Sequence, residues 1–362
     1  MSPKVSIVVP ICNVEKFLRQ CLDSIAAQTL EDIEVICVND GSTDSSAAII
    51  DEYVAKDSRF KALHKPNSGY GDSMNKGFAM ATGEYIGIVE SDDWIELDAM
   101  EQLYTAATEN NADVAKAAFT SVFDQQGRTE DWRILDRVGA YGKVFSAEEN
   151  HEVFWVHPSI WSAIYKADFI RGNNILFNPT PGASYQDTSF NFKVWACAER
   201  IILIDANILN YRLDNPNSSV NSPTKIFCIC DEFDEIEHFL AARPDLAAKF
   251  SNVAYGLKCH SYLWNYDRIE FDFKFAFLQR MIAECTADLK AGRYNIKGCQ
   301  ADELARFKEI LADPTKFFLA QRKEYQQANG LDAHGLNPQP VAIEPAEKPA
   351  SLPRRIVRRL RR

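Results

Sequence analysis

Four short apolar runs alternate with helix-type patterns along the first third of the chain. The runs lie at residues 5–10, 33–38, 60–64 and 84–89 and have the length of buried strands. Between the first two runs, apolar side chains recur every three or four residues, as they do on one face of an amphipathic helix. Residues 39–44 are turn and helix-capping types. The pattern therefore predicts alternating strands and helices.

Strands that are apolar on both faces predict a parallel sheet covered by helices on both sides. In such sheets, ligands gather at the carboxyl ends of the strands. Asp40 follows the second run, and Glu90-Ser91-Asp92-Asp93 follows the fourth. The sequence therefore predicts an α/β fold that presents two sets of acidic side chains at one edge of the sheet.

The pattern changes after the first third of the chain. Residues 112–119 and the aromatic-rich stretch that follows predict the edge of a mixed sheet, residues 186–199 a helix, and residues 200–205 and 208–213 two separate strands. Later patterns are mainly helical until the composition becomes proline-rich after Gly330. We therefore divide the chain into an α/β domain at 1–224, a helical region at 225–330, a linker at 331–352 and a basic tail at 353–362.

Composition narrows the class of protein. The 362 residues are 46% hydrophobic, which is typical of a folded chain, and the formal net charge of −11 argues against a nucleic-acid partner. The nine cysteines lack the spacing of a metal finger, which favours reduced thiols. No run reaches the roughly 20 apolar residues that span a bilayer, and no signal peptide is recognisable. These features predict a cytoplasmic location.

The three acids of residues 90–93 need hydration or a cation to offset their mutual repulsion. Divalent ions such as Mg²⁺ or Mn²⁺ prefer carboxylate oxygens and combine one or two of them with substrate phosphates. The alternative is a solvated turn in which an aspartate caps the next helix. Because Asp40 and the glycine-containing loop at 67–71 are expected at the same edge of the sheet, we favour a ligand site.

Four stretches carry a family resemblance in their order and spacing: VSIVVPICNVEKFLRQCLDSIAAQT, VICVNDGSTDSS, NSGYGDSMNKG and ATGEYIGIVESDDWI. Together they resemble the inverting glycosyltransferases of family 2, strongly over residues 4–125 and more loosely over residues 155–215. The resemblance implies the GT-A fold, with a Rossmann-like, mainly parallel mixed sheet and a helical C-terminal extension. The domain at 1–224 would then be catalytic.

The resemblance also implies how a nucleotide-sugar donor would bind. Asp40 would accept hydrogen bonds from the base, Asp92 would hold Mn²⁺ or Mg²⁺ against the diphosphate, and Glu90 would lie near the ribose. Tyr211 and Arg212, followed by Ser218 and Ser219, lie where the family often places a flap that contacts the diphosphate. Arg212 would suit phosphate because a guanidinium donates bidentate hydrogen bonds. The implied donor-binding residues are Pro10, Asn13, Glu15, Asp40, Gly41, Ser42, Asn75, Lys76, Glu90, Ser91, Asp92 and Arg212, with Asp92 and Asp93 as the metal ligands.

Three residues depart from the pattern of the family. Cys12 stands where tyrosine is usual, Met74 where arginine is common, and Glu90 where aspartate is usual. These departures bear on how the donor is gripped, so the sugar and the nucleotide cannot be inherited from the resemblance.

The acceptor side is expected further along the chain. In the family, the general base is an acid at the start of a helix, and GASYQDTSF (182–190) matches that place with Asp187. The alternative is that Asp187 only stabilises the helix dipole. The implied acceptor-binding residues are His157, Trp161, Tyr165 and Lys166. For Trp161 and Tyr165 core packing is an equal alternative, and for His157 a structural role is favoured.

The last ten residues, PRRIVRRLRR, carry six arginines and no acid. Their apolar residues fall on one face of a helix, a pattern typical of a segment that lies on an anionic membrane surface. The alternative is a solvated, disordered tail. A lipid-linked acceptor at the cytoplasmic face of the inner membrane would give the membrane contact a purpose.

The sequence thus predicts a metal-dependent inverting glycosyltransferase that transfers a sugar, from a UDP-linked donor, to a surface glycan or its lipid-linked precursor. One rival is a sugar-nucleotide nucleotidyltransferase, which would carry a basic glycine-rich loop after its first strand; PICNVEKF offers none. The other rival is a non-catalytic carbohydrate-binding relative, which would lack the metal acid or the base. Asp92 and Asp187 are both present.

Overall fold

The computed structural model describes residues 2–213, 225–290 and 301–329. The strands in these ranges are β1 (Val5–Ile11), β2 (Ile33–Asp40), β3 (Phe60–Lys65), β4 (Tyr85–Ile88), β5 (Trp94–Ile95), β6 (Val114–Phe123), β7 (Arg128–Trp132), β8 (Ala163–Lys166) and β9 (Ile201–Arg212). The helices are α1 (Glu15–Ala26), α2 (Ser46–Lys56), α3 (Tyr70–Met80), α4 (Ala99–Glu109), α5 (Ala167–Gly172), α6 (Gln186–Cys197), α7 (Cys228–Ala242), α8 (Pro244–Arg268), α9 (Phe271–Lys290), α10 (Ala301–Ala312) and α11 (Pro314–Ala328).

The strands form one mixed sheet in the order β3-β2-β1-β4-β8-β6-β9-β5, with β7 paired to β6. The first four strands in this order are parallel to one another, and β8 then runs antiparallel to β4 and to β6. Because β1, β2 and β4 are parallel neighbours, the residues that follow them meet at one edge of the sheet. The predicted α/β fold with a mainly parallel sheet is confirmed.

The apolar runs form strands, and the amphipathic pattern between the first two forms a helix with one buried face, as predicted. Every residue of β1 and β2 is buried, as expected for central strands covered on both faces. Helix α1 buries Leu18, Cys21, Leu22 and Ile25, which fall on one face of the helix because their spacing is three or four residues. Burial of such apolar surface contributes roughly 25 cal/mol per Å² to folding.

Two predictions about the sheet are wrong. Residues 201–212 form one strand, not two, because irregularities in the pairing of β6 with β9 absorb the polar residues near Asp205 without ending the strand. The stretch that starts β6 is not at a sheet edge, because β6 has β9 on one side and β8 followed by β7 on the other. Long-range pairing of this kind is not encoded in local periodicity.

Helices follow the sheet in the later part of the chain, and α7 packs on α6 and α8. Of the helices described, none is both long and apolar enough to cross a membrane. The linker predicted at 331–352, the tail at 353–362, and Ser218 with Ser219 lie outside the described residues.

Candidate functional site

The loops after β1 and β2 are locked together by side chains. Asn13 donates its backbone N–H to Ser42 Oγ (3.0 Å), and the Thr43 amide donates to Asn13 Oδ1 (2.7 Å). The Ser45 amide donates to Glu15 Oε2 at 2.8 Å. The predicted donor-binding residues Asn13, Glu15 and Ser42 therefore lie together at the expected edge, where their hydrogen bonds fix the two loops relative to each other.

Asp40, at the end of β2, organises the next loop. Lys65 Nζ and the Ser68 amide donate to Asp40 Oδ1 at 2.5 and 2.8 Å, and the Gly69 amide donates to Oδ2 at 2.9 Å. The carboxylate is buried, so these three donors offset most of its desolvation. Gly41 follows with φ +68°, and a Cβ there would lie 2.7 Å from the Asn67 nitrogen, which explains the glycine.

The remaining predicted donor residues have different surroundings. Asn75 exchanges two hydrogen bonds with the backbone of Phe177, at 2.9 and 2.8 Å, so its amide ties α3 to the segment before α6. Lys76 is exposed and pairs with Asp72 at 2.8 Å. Pro10 and Ser91 are buried. The structure thus gives Asn75 a structural partner in the place of the expected donor contact.

Glu90 lies just beyond β4, partly exposed, and accepts a hydrogen bond from the Tyr70 hydroxyl at 2.6 Å. Burial raises the pKa of Glu90 to about 8, and the neighbouring carboxylates of Asp92 and Asp187 raise it further than burial alone would. Negative charge is therefore concentrated here without enough positive charge to balance it. This is the electrostatic condition that a bound cation would relieve.

Asp93 and Arg212 join the acidic loop to the end of β9. The Arg212 amide donates to Asp93 Oδ1 (2.9 Å), Arg212 Nε donates to the Asp92 carbonyl (2.9 Å), and Nη2 donates to Gln20 Oε1 (2.8 Å). The guanidinium lies over the rings of Phe17 and Trp94 and pairs with Asp124. Arg212 is buried, and these contacts with protein groups differ from the diphosphate contact that we expected.

Asp187 is the second residue of α6, which begins directly after Tyr185. Tyr185 has φ +64°, a conformation that is uncommon for a side chain of its size. Burial raises the pKa of Asp187 to about 6, although backbone N–H groups of the helix start lower it. The same carboxylate contributes to the raised pKa values of Glu90 and Tyr70. The fold therefore brings residues 70, 90, 92 and 187 into one electrostatic cluster.

Sequence reasoning missed two residues of this cluster, Tyr70 and Glu232, and it assigned Tyr211 to a diphosphate-contacting flap rather than to the cluster. The Tyr70 hydroxyl donates a hydrogen bond to Glu90. Burial is the main cause of the raised pKa of Tyr211, and the nearby carboxylates of Asp93, Asp92, Asp187 and Glu90 raise it further. Glu232 of α7 is fully buried, accepts from Asn178 Nδ2 at 3.1 Å and from the Ser189 hydroxyl, and has a pKa raised by burial to about 8. An acid on the apolar face of a predicted helix was the available signal for Glu232.

The predicted acceptor residues do not form one surface. Lys166 pairs in register with Tyr85 at the start of β4, the opposite end of that strand from Glu90, so this prediction is wrong. Tyr165 is 2% exposed and donates its hydroxyl to the Ile160 carbonyl at 2.7 Å, so it belongs to the core. Trp161 is also buried and stacks beneath Tyr211 with ring centroids 4.9 Å apart. His157 is exposed, beside Trp132.

The carboxylates at residues 90–93 suit a divalent cation whose other ligands are oxygen atoms of a substrate. No group of three or more His, Cys, Asp or Glu side chains within the described ranges is arranged to hold a metal ion by itself. Asp92 is partly exposed, and Asp93 Oδ2 is buried without a hydrogen-bond partner among the described residues. One or two carboxylates completed by phosphate oxygens are the usual set for Mg²⁺, so the residues present fit such an ion.

The mainly parallel mixed sheet, with acidic residues at the carboxyl ends of its strands, has the fold of the GT-A class. The family model described as Glycosyl transferase family 2 matches residues 6–185. Glycosyltransferase GlyG of Streptococcus pneumoniae is 32% identical over 222 residues, which are 59% of this chain and 71% of GlyG. The chain therefore belongs to glycosyltransferase family 2.

Two further comparisons extend this similarity. The uncharacterized glycosyltransferase EpsJ of Bacillus subtilis is 33% identical over 230 residues, 62% of this chain and 65% of EpsJ, so the chain spans just under two thirds of that relative. The crystal structure of S. aureus TarS 1-349 in complex with UDP-GlcNAc has a TM-score of 0.60 and 20% identity, covering 91% of this chain and 93% of that one. The TarS likeness shows that the two chains share a fold.

Proposed function

We propose that this protein is a metal-dependent inverting glycosyltransferase that transfers a sugar from a UDP-linked donor to a hydroxyl of a surface glycan or of its lipid-linked precursor. The observation that carries the proposal is the convergence of Glu90, Asp92 and Asp187 at the carboxyl edge of the parallel strands. The likeness to TarS, which was crystallised with UDP-GlcNAc, supports a UDP-linked donor.

In this proposal, Asp92 and Asp187 have different roles. Asp92, with Asp93 behind it, would hold Mn²⁺ or Mg²⁺, which offsets the charge on a departing nucleoside diphosphate when it is bound. Asp187 accepts the proton of the acceptor hydroxyl on a carboxylate oxygen as that hydroxyl attacks the anomeric carbon. A base whose pKa is near 6 is ionised at neutral pH and still basic enough to assist.

The nucleotide base of the donor belongs to the loops after β1 and β2 in this proposal, and its ribose lies near Glu90, after β4. Asp40 remains our proposed contact for the base, although both of its oxygens already accept hydrogen bonds from the protein. A base N–H would therefore share an oxygen with these donors. Asn13, Glu15 and Ser42 would act mainly by fixing the shape of the nucleotide site.

Product analysis tests the reaction class. The protein is incubated with a panel of UDP-sugars, Mn²⁺ and soluble glycan acceptors, and the nucleotide products are separated by chromatography. A glycosyltransferase releases UDP in step with glycosylated acceptor. In a parallel incubation with UTP and sugar 1-phosphates, release of pyrophosphate would instead identify the nucleotidyltransferase, and tight sugar binding without either product would identify the carbohydrate-binding relative.

We also propose that the protein works at the cytoplasmic face of the inner membrane, held there by the basic tail at 353–362. Deleting those residues should move the protein from the membrane fraction to the soluble fraction without changing turnover on a soluble acceptor. Fractionation of cell lysates checks this prediction. If the truncated protein still pellets with membranes, another part of the chain makes the contact.

A further inference from the structure

An aromatic and cationic surface lies beside the proposed base. Helix α8 presents Trp264, which is 44% exposed, and Arg268, one turn later. Both contact Tyr185, the residue that precedes α6: the Trp264 ring meets the Tyr185 ring edge-on with centroids 6.0 Å apart, and the Arg268 guanidinium lies 5.6 Å from the Tyr185 ring. We define Tyr185, Trp264 and Arg268 as the α8 platform.

Ring contacts and hydrogen bonds hold the side chains of the α8 platform in place. Arg268 lies 5.2 Å from the centroid of the Trp264 ring, so the guanidinium is close to both aromatic rings. Its Nη2 donates to Asn265 Oδ1 at 3.0 Å, and the buried Asn265 donates in turn to the Ile226 carbonyl at 3.0 Å. Tyr185 is held with φ +64°, and its buried hydroxyl has no hydrogen-bond partner among the described residues. The large exposed indole of Trp264 beside this buried Tyr185 hydroxyl needs an explanation.

Electrostatic interactions connect the platform to Asp187, the proposed general base. Burial raises the pKa of Tyr185 to about 12, with Asp187 raising it and Arg268 lowering it, so both charges are within reach of the same ring. Lys225 adds a second cation close by, because its Nζ donates to the Ala183 carbonyl at 2.6 Å. The cluster around Asp187 is otherwise acidic, and it would repel an anionic acceptor unless cations flanked it.

We infer that the α8 platform is the acceptor subsite, and that it binds a sugar or polyol unit that carries an anionic group. The ring or chain of the unit lies on the Trp264 indole, and its phosphate or carboxylate pairs with Arg268. This inference rests on the proposed function, because it assigns the acceptor of the reaction that Asp187 serves. It assigns the subsite to the helical C-terminal region rather than to Tyr165 and Lys166.

Three soluble probes of equal length distinguish the possible anions: a polyol-phosphate hexamer, a glucuronic acid hexasaccharide and a neutral glucose hexasaccharide. Each is titrated against the full chain while tryptophan fluorescence is recorded, and then used as an acceptor with the UDP-sugar that the product analysis selects. We expect at least one anionic probe to quench fluorescence and to have a KM at least tenfold below that of the neutral probe. Equal affinity for the neutral probe would overturn the anionic class.

Variants test the residues. Arg268→Gln should raise the KM for the anionic probe about tenfold, with little change for the neutral one, since the variant removes a charged hydrogen-bonding contact. Trp264→Ala should raise the KM for all probes and remove the fluorescence quenching. Arg133→Gln is the control, because Arg133 is an exposed arginine paired with Asp136 and Asp205.

The outcomes separate this inference from the proposed function. If the parent protein transfers sugar but neither platform variant changes a KM, the acceptor subsite is elsewhere and the inference is overturned. If the parent protein transfers no sugar to any probe but releases pyrophosphate when it is given UTP and a sugar 1-phosphate, the proposed function itself has failed. Circular dichroism of each variant checks folding, and Trp264→Phe, which keeps a ring, should restore part of the affinity lost in Trp264→Ala.

Discussion

The loops after β1 and β2 and the start of α6 lie at the same edge of the sheet, yet they are stabilised differently. In the loops, polar side chains and backbone amides satisfy one another, as Asn13 and Ser42 do, and Asp40 has three donors. Around the start of α6, burial raises the pKa values of Asp187 and of Glu232 on the neighbouring helix α7, although both carboxyl groups accept hydrogen bonds. The polar groups of the two loops are therefore already paired within the protein, whereas the carboxyl groups around the start of α6 are suited to bind a proton or a ligand.

The difference teaches how to separate structural acids from reactive ones. An acid whose oxygens are all occupied by protein donors stabilises the fold, and its loss should damage stability first. An acid with a raised pKa holds a charge that the fold does not favour, and its loss should damage function first. Asp40 and Asp187 represent the two cases.

The largest effect should come from the start of α6. Asp187→Asn should lower turnover by roughly 10² to 10⁴, the usual contribution of a general base, while leaving UDP binding intact. In the parent, kcat/KM should rise with pH up to about 6, because Asp187 must lose its proton to act as a base. Steady-state kinetics from pH 4.5 to 8 measure both effects, and a mutant that turns over at the rate of the parent would remove Asp187 as the base.

Asp92 tests the acidic loop between the two halves. Asp92→Ala should abolish the part of UDP binding that depends on Mn²⁺ or Mg²⁺, because the proposed ligand is removed. Calorimetric titration of UDP with the metal, and with a chelator in its place, separates that part. A titration identical to that of the parent would exclude Asp92 as a metal ligand.

Asp40 tests the scaffold half. Asp40→Ala should cost roughly 1–3 kcal/mol of unfolding free energy, because it removes one of the two carboxylates that pair with the buried Lys65 ammonium, the other being Asp72, and leaves the Ser68 and Gly69 amides without their acceptor. Asp51→Ala is the matched control: Asp51 is an exposed acid paired with His64, and such pairs are worth roughly 0–1 kcal/mol. Urea unfolding measures both variants, and equal losses would show that Asp40 has no special structural role.

The most gradual effect, spread over several pH units, concerns Glu232. Its folded pKa of about 8 exceeds the ordinary value of 4.5, so the folded protein keeps a proton that the unfolded chain releases, and stability falls as pH rises between these values. Glu232→Gln removes this penalty, and its stability relative to the parent should increase by up to about 1.4 kcal/mol per pH unit in that window. Unfolding curves from pH 4 to 8 measure the trend; parallel curves would place the folded pKa near 4.5.

The site residues were predictable to different degrees. The acids after β2 and β4, and Asp187 at a helix start, were identifiable because each stands directly beside a strongly patterned element. Tyr70 and Glu232 were not, because each reaches the cluster through partners distant in the chain, and the place of Tyr211 beside these acids was missed for the same reason. Lys166 was misplaced because the antiparallel direction of β8, which takes it to the far end of β4, is decided by sheet assembly.

The sequence by itself determined the strands, most of the helices and the edge of the sheet where acids collect, because hydrophobic periodicity and turn residues act over a few positions. Only the tertiary structure decided which acids are satisfied and which are strained. That distinction depends on burial and on donors such as Lys65 and Arg212, which come from other strands. Tertiary structure also decided that α8 contributes Trp264 and Arg268 beside Asp187, because no local pattern links residues so far apart.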